Sequence, residues 1–107
     1  LRLILPALRR LLTGDDAEAL VLVKPQFEVG KNRVGKGGVV RDPVAHQDAI
    51  ETVMAAASEL GWTSRGLVGS PITGPAGNHE YVLWLGQGPA MDPASIQACI
   101  ASTLANP

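Results

Sequence analysis

The chain has 107 residues and a mass of 11.2 kDa, enough for one domain or part of one and too little for two. Apolar residues make up 46% and charged residues 18%, which supports a packed core and excludes intrinsic disorder; nine Lys+Arg against ten Asp+Glu, a net charge of −1, exclude a uniformly basic nucleic-acid binder. No apolar run approaches the ~20 residues that span a bilayer, and a single cysteine, Cys99, excludes an internal disulfide and a cysteine-based zinc site. A cytoplasmic location without stable membrane association is expected.

The first residues carry a helical pattern, with Leu1, Ile4, Leu5, Leu8, Leu11 and Leu12 on one face. No capping Ser, Thr, Asp or Asn precedes Leu1, so the pattern reads as a cut through a longer chain. The helix is predicted to end at the turn-forming group Thr13 to Asp16. Ala19 to Val23 is a continuous apolar run stopped by Lys24-Pro25, and continuity rather than alternation predicts a strand covered on both faces, central in a parallel sheet.

Residues 29–41 hold Gly30, Gly35, Gly37 and Gly38 among basic side chains and read as a flexible charged loop. Asp42-Pro43 then starts a helix, with Asp as N-cap and Pro at the first helical position. Ile50, Val53, Met54, Ala57 and Leu60 form its apolar face, and Gly61 ends it. Trp62 to Ser70 reads as a strand, Pro71 to Asn78 as a Pro/Gly loop, and His79 to Leu85 as a strand rich in β-formers. Asp92-Pro93 repeats the helix-start signature before Ile96, Ile100 and Leu104. The order is α-β-α-β-β-α. The strand–helix–strand unit predicts a right-handed crossover with parallel neighbours, and the short last connection predicts an antiparallel final strand. The fold class is α/β, half of an open sheet.

Charge is unevenly distributed. Residues 1–41 hold eight basic and four acidic side chains, whereas residues 42–107 hold Arg65 against six acids. Lys31, Arg33, Lys36 and Arg41 concentrate in the glycine-containing loop and are candidate contacts to RNA phosphates, with a solvated charged loop as the alternative. Gly30 to Lys36 matches G-x-x-x-x-G-K, but Gly37 stands where Ser or Thr must hold magnesium, and Val39-Val40 begins no helix. No triphosphate site is expected. His46 and His79 lack partners at metal spacing and read as ordinary surface or edge histidines, and Cys99 as a small core side chain.

A lysine that ends a buried parallel strand lies at the carboxyl edge of the sheet, where open α/β folds place their ligands. Lys24 is such a residue, and the segment around it, Val23-Lys24-Pro25-Gln26-Phe27-Glu28-Val29-Gly30, resembles the V-K-P-Q-F-E-V-G signature of the hemolysin-like TlyA family. Gly37 to Pro43 resembles that family's G-G-V-V-x-D-P, and Ser70 to Tyr81 its S-P-x-x-G-P-x-G-N-x-E-Y. TlyA proteins are similar to the FtsJ-type ribosomal RNA 2′-O-methyltransferases, which use S-adenosylmethionine and a Lys-Asp-Lys-Glu tetrad.

The resemblance implies that residues 1–107 are the C-terminal part of such a Rossmann-like domain, with Lys24 as the second lysine and Glu80 as the glutamate. It assigns the first lysine, the aspartate and the glycine-rich cofactor loop to segments before Leu1, so no cofactor-binding residue falls in this chain. It also implies that the antiparallel last strand inserts beside the strand ending in Lys24, bringing Lys24 and Glu80 to one rim. A lysine is a base only when neutral, which requires its pKa to move from ~10.4 towards ~7–8. Burial, a second lysine and the cofactor's positive charge would supply that shift, so this piece alone is expected to be inactive with Lys24 protonated. The implied partner is ribosomal RNA or a ribosomal subunit. A non-catalytic RNA-binding or assembly module, with Lys24 and Glu80 as a structural ion pair, is the alternative; a membrane-active hemolysin ranks third. Loss of a neighbour beside Ala19–Val23 would leave an apolar edge and predicts a homodimer.

Overall fold

A computed structural model describes residues 18–30 and 33–105. The predicted first helix and Lys31 lie outside the described residues. The elements are β1 (Ala19–Val23), α1 (Pro25–Glu28), α2 (Pro43–Glu59), β2 (Thr63–Gly69), β3 (Tyr81–Gly86) and α3 (Ala94–Leu104), with short 3-10 turns at Lys36–Gly38 and Pro75–Gly77. The strands form one sheet in the order β1-β3-β2, and β3 runs antiparallel to both neighbours.

That order revises one expectation. β1 and β2 do run in the same direction, but they are not neighbours, because β3 lies between them. β1 is an edge strand among the described residues and is not covered on both faces. Val21 and Val23 are buried, whereas Leu20 on the opposite face is 72% exposed. The apolar run is compatible with either position, since hydrophobicity does not specify which strand pairs with which.

Local signals place the helices. The Oδ1 of Asp42 accepts the Val44 N–H at 3.0 Å, and Pro43 occupies the first turn, where its missing N–H costs nothing. At the other end Gly61 takes φ 87°, donating to the Ser58 carbonyl, while Trp62 N–H reaches back to the Ala57 carbonyl. This paired 5→2 and 6→1 closure is the Schellman motif, which requires a left-handed residue that glycine adopts without penalty. Asp92 Oδ1 similarly accepts the Ala94 N–H at 3.0 Å to start α3.

The core lies between one face of the sheet and the helices. Val21, Val23, Tyr81, Leu83 and Leu85 meet Ala49, Ile50, Val53 and Ala57 of α2, and Ile96 and Ile100 of α3. Burying one such aliphatic side chain contributes about 1.5–3 kcal/mol. Helix α3 lies so near β2 that a Cβ on Gly69 would overlap Thr103. Cys99 is half-buried against the core with its Sγ 3.9 Å from Thr103 Oγ1, and burial pushes its thiol pKa up. On the other face, a register shift between Ser64 and Gly66 sets Arg65 over the Trp84 ring, 4.5 Å from its centroid.

Candidate active site

The β1–β3 ladder closes with Val23 opposite Tyr81. Lys24 and Glu80 are the next residue on each strand, so the antiparallel register brings two positions 56 apart in sequence to the same rim. Lys24 keeps extended backbone (φ −115°, ψ 96°) before Pro25 turns the chain into α1, a helical turn that the sequence reading took only as a strand stop. On the other side of Glu80, its carbonyl accepts the Ser70 N–H at 2.8 Å, which ties this rim to the end of β2.

The side chains make different contacts from those of an ion pair. Glu80 is 5% exposed, and its Oε2 accepts a hydrogen bond from Gln26 Nε2 at 2.8 Å. Gly74 lies directly against the same carboxyl group, and any Cβ there would overlap it. The half-buried Lys24 sets its Nζ 5.3 Å from the centroid of the Phe27 ring, which is 67% exposed. Among the described residues, no ammonium–carboxylate contact joins Lys24 to Glu80. Gln26 Oε1 is buried and accepts no hydrogen bond from the protein. Such an orphaned acceptor ordinarily costs about 1–3 kcal/mol.

A buried polar network supports the rim from below. Asn78, 2% exposed, accepts the Val40 N–H at Oδ1 (2.9 Å) and donates from Nδ2 to the Gly38 carbonyl (2.9 Å). The Val40 carbonyl in turn accepts a hydrogen bond from His46 Nε2 at 2.8 Å, and His46 Nδ1 stands 2.8 Å from the Tyr81 hydroxyl. Because a carbonyl only accepts, Nε2 must carry the proton; a neutral imidazole then accepts from the Tyr81 O–H at Nδ1. Burial lowers the His46 pKa, and the bond to Val40 opposes this without overcoming it. His46 is therefore a fully buried connector and not the surface histidine expected from sequence. His79 is half-buried beside Glu80.

Arg33 Nη1 lies 2.6 Å from Asp48 Oδ2, with Nη2 at 3.9 Å from Asp42 Oδ2. Its guanidinium is thus turned towards α2. Arg41 is exposed, and Lys36 opens the 3-10 turn Lys36–Gly38. Gln26, Gly74, Asn78 and His46 were missed as site residues. The signal was present for the first three, which sit inside the quoted motifs, but only contacts show which motif positions meet.

The FtsJ-like methyltransferase family matches residues 3–87. The 16S/23S rRNA (cytidine-2′-O)-methyltransferase TlyA of Mycobacterium tuberculosis is 56% identical over 70 residues, 65% of this chain and 26% of the relative. A Bacillus subtilis protein described as "Putative rRNA methyltransferase YqxC" is 47% identical over 91 residues, 82% of this chain and 32% of the relative. Among solved structures, "Putative hemolysin from Streptococcus thermophilus" superposes with a TM-score of 0.82 at 40% identity, covering 95% of this chain and 38% of that one. The chain thus spans between a quarter and a third of the two curated relatives' length. With a match running from the third residue through the whole β1–β3 rim, the chain belongs to the FtsJ-like methyltransferase family.

Proposed function

We propose that this chain is the C-terminal part of an RNA ribose methyltransferase, in which the full-length protein transfers a methyl group from S-adenosylmethionine to a 2′-hydroxyl of ribosomal RNA. The observation that carries this reading is the position of Lys24 and Glu80 immediately beyond the Val23–Tyr81 rung, at the rim where open α/β sheets hold ligands. Lys24 takes the proton from the 2′-hydroxyl at Nζ, and Glu80 fixes the polar environment in which that amine works. Because the chain spans only a quarter to a third of the curated relatives' length, the cofactor site is assigned to the rest of the full-length protein, and the chain alone is expected to be inactive. Arg41, with Lys31 and Lys36, would meet RNA phosphates and position the substrate without reading its sequence.

The test is Lys24→Ala in the full-length protein. Methyl transfer to ribosomal RNA should be lost while RNA binding persists; retained methylation would overturn the reading. The structural ion-pair alternative is less favoured because Glu80 is bonded to the Gln26 amide. No helix among the described residues is long and apolar enough to cross a membrane. Self-association of the isolated chain through the β1 edge is part of the same proposal. Light scattering should show a dimer, and a stable monomer would remove that element.

A further inference from the structure

We propose that Gln26 is a positioning residue for the reaction: its amide holds the Glu80 carboxyl group away from Lys24 and keeps the lysine amine open to the ribose. The inference rests on the methyltransferase reading above and extends it to a residue outside the Lys–Glu pair. Lys24 and Glu80 occupy facing positions on the rim, an arrangement in which a free carboxylate and an ammonium would collapse onto one another. They do not collapse, because Gln26 Nε2 takes Glu80 Oε2 at 2.8 Å. Gly74 closes the remaining side, since a Cβ there would overlap the same carboxyl group.

The placement follows from the backbone. Pro25 turns the chain into α1 directly after Lys24, so the side chain two positions beyond the lysine returns over the rim and reaches Glu80 across 54 positions of sequence. The amide orientation is dictated by chemistry: a carboxylate only accepts, so Nε2 must face it. Gln26 Oε1 consequently remains buried without a protein donor. A buried acceptor left unmatched calls for an explanation, and the hold on Glu80 at the other end of the same amide supplies one.

The experiment measures methyl transfer from S-adenosylmethionine to ribosomal RNA by full-length wild type, Gln26→Leu, Glu80→Gln and the double variant. Gln26→Leu should lower kcat roughly tenfold or more while KM for RNA stays within about twofold, since misplacement by about 1 Å can cost up to a hundredfold. The double variant should be no slower than Glu80→Gln, because Gln26 acts through that carboxylate. A kcat for Gln26→Leu within about twofold of wild type, or losses that multiply in the double variant, would overturn the inference. If Gln26→Leu does not fold, Gln26→Glu, which keeps the shape and removes the donor, is read by the same criteria. An inactive wild type would instead refute the methyltransferase reading, and this inference with it.

Discussion

The Tyr81 hydroxyl stands 2.8 Å from His46 Nδ1, with the two rings edge-on at 89°. The contact locks the first residue of β3 to α2, within one position of Glu80. Its chemistry depends on a neutral imidazole, and burial works in that direction on both partners, lowering the His46 pKa and raising that of Tyr81.

Stability should therefore fall as pH drops below about 6.5. The unfolded chain then takes up a proton that folded His46 refuses, so the unfolded state binds more protons and gains in free energy. The loss grows until pH passes the lowered folded pKa and then levels off. Urea denaturation at pH 7.5 and 5.5 should show the midpoint falling at the lower pH. Tyr81→Phe should cost about 1–3 kcal/mol at pH 7.5, because a buried acceptor loses its donor. An unchanged midpoint in either comparison would contradict the assigned network.

Asn78 joins the Ser70–Tyr81 motif to the Gly37–Pro43 motif through both ends of its amide. Asn78→Ala leaves the buried Val40 N–H without that acceptor and should destabilise by about 2–4 kcal/mol. Asn78→Asp should be at least as harmful, since the oxygen replacing Nδ2 faces the Gly38 carbonyl. Thermal melting of the two variants beside wild type measures this directly.

Gly74→Ala should displace Glu80, because the added methyl overlaps its carboxyl group. In the full-length protein methyl transfer should decrease by roughly tenfold or more. Glycine here serves close approach and not an unusual turn, so serine should fail as alanine does. A Gly74→Ala enzyme with wild-type kcat would show that the carboxyl position is irrelevant to rate.

Arg33 and Arg41 should separate in a salt titration of RNA binding. Arg33 already faces Asp48 and Asp42, so Arg33→Ala should leave the slope of log K against log salt unchanged and cost about 0.2–1 kcal/mol of stability. Arg41→Ala should reduce the magnitude of that slope by roughly 0.7–0.9, one phosphate contact. Equal effects from both would show that Arg33 leaves its carboxylates for RNA.

Much of the local structure was legible in the residues. Asp42-Pro43 and Asp92-Pro93 announced helix starts because their carboxyl groups act on N–H groups two residues away. Gly61 announced a stop because few other residues adopt φ 87° without strain. The observed strands Thr63–Gly69 and Tyr81–Gly86 differ from the expected spans by one or two residues at their ends. In the candidate site, the motif resemblance supplied Lys24 and Glu80, and the register of β1 on β3 brings their positions together.

The partners of those residues were not legible. His46 reads as one polar residue on a helix, and only the docking of α2 beside β3 buries it. Gln26 appears in the sequence only as one position of a quoted motif, and only the β1–β3 register brings Glu80 to it. The apolar run Ala19–Val23 did not by itself announce that β3 would lie beside it in place of β2; the motif resemblance implied that neighbour, and the register bears it out. Caps, stops and periodicity act over a few residues and are written in adjacent side chains. Pairing, burial and hydrogen bonding between residues 35 to 54 positions apart exist only once the sheet has assembled, and they decide where the candidate site points.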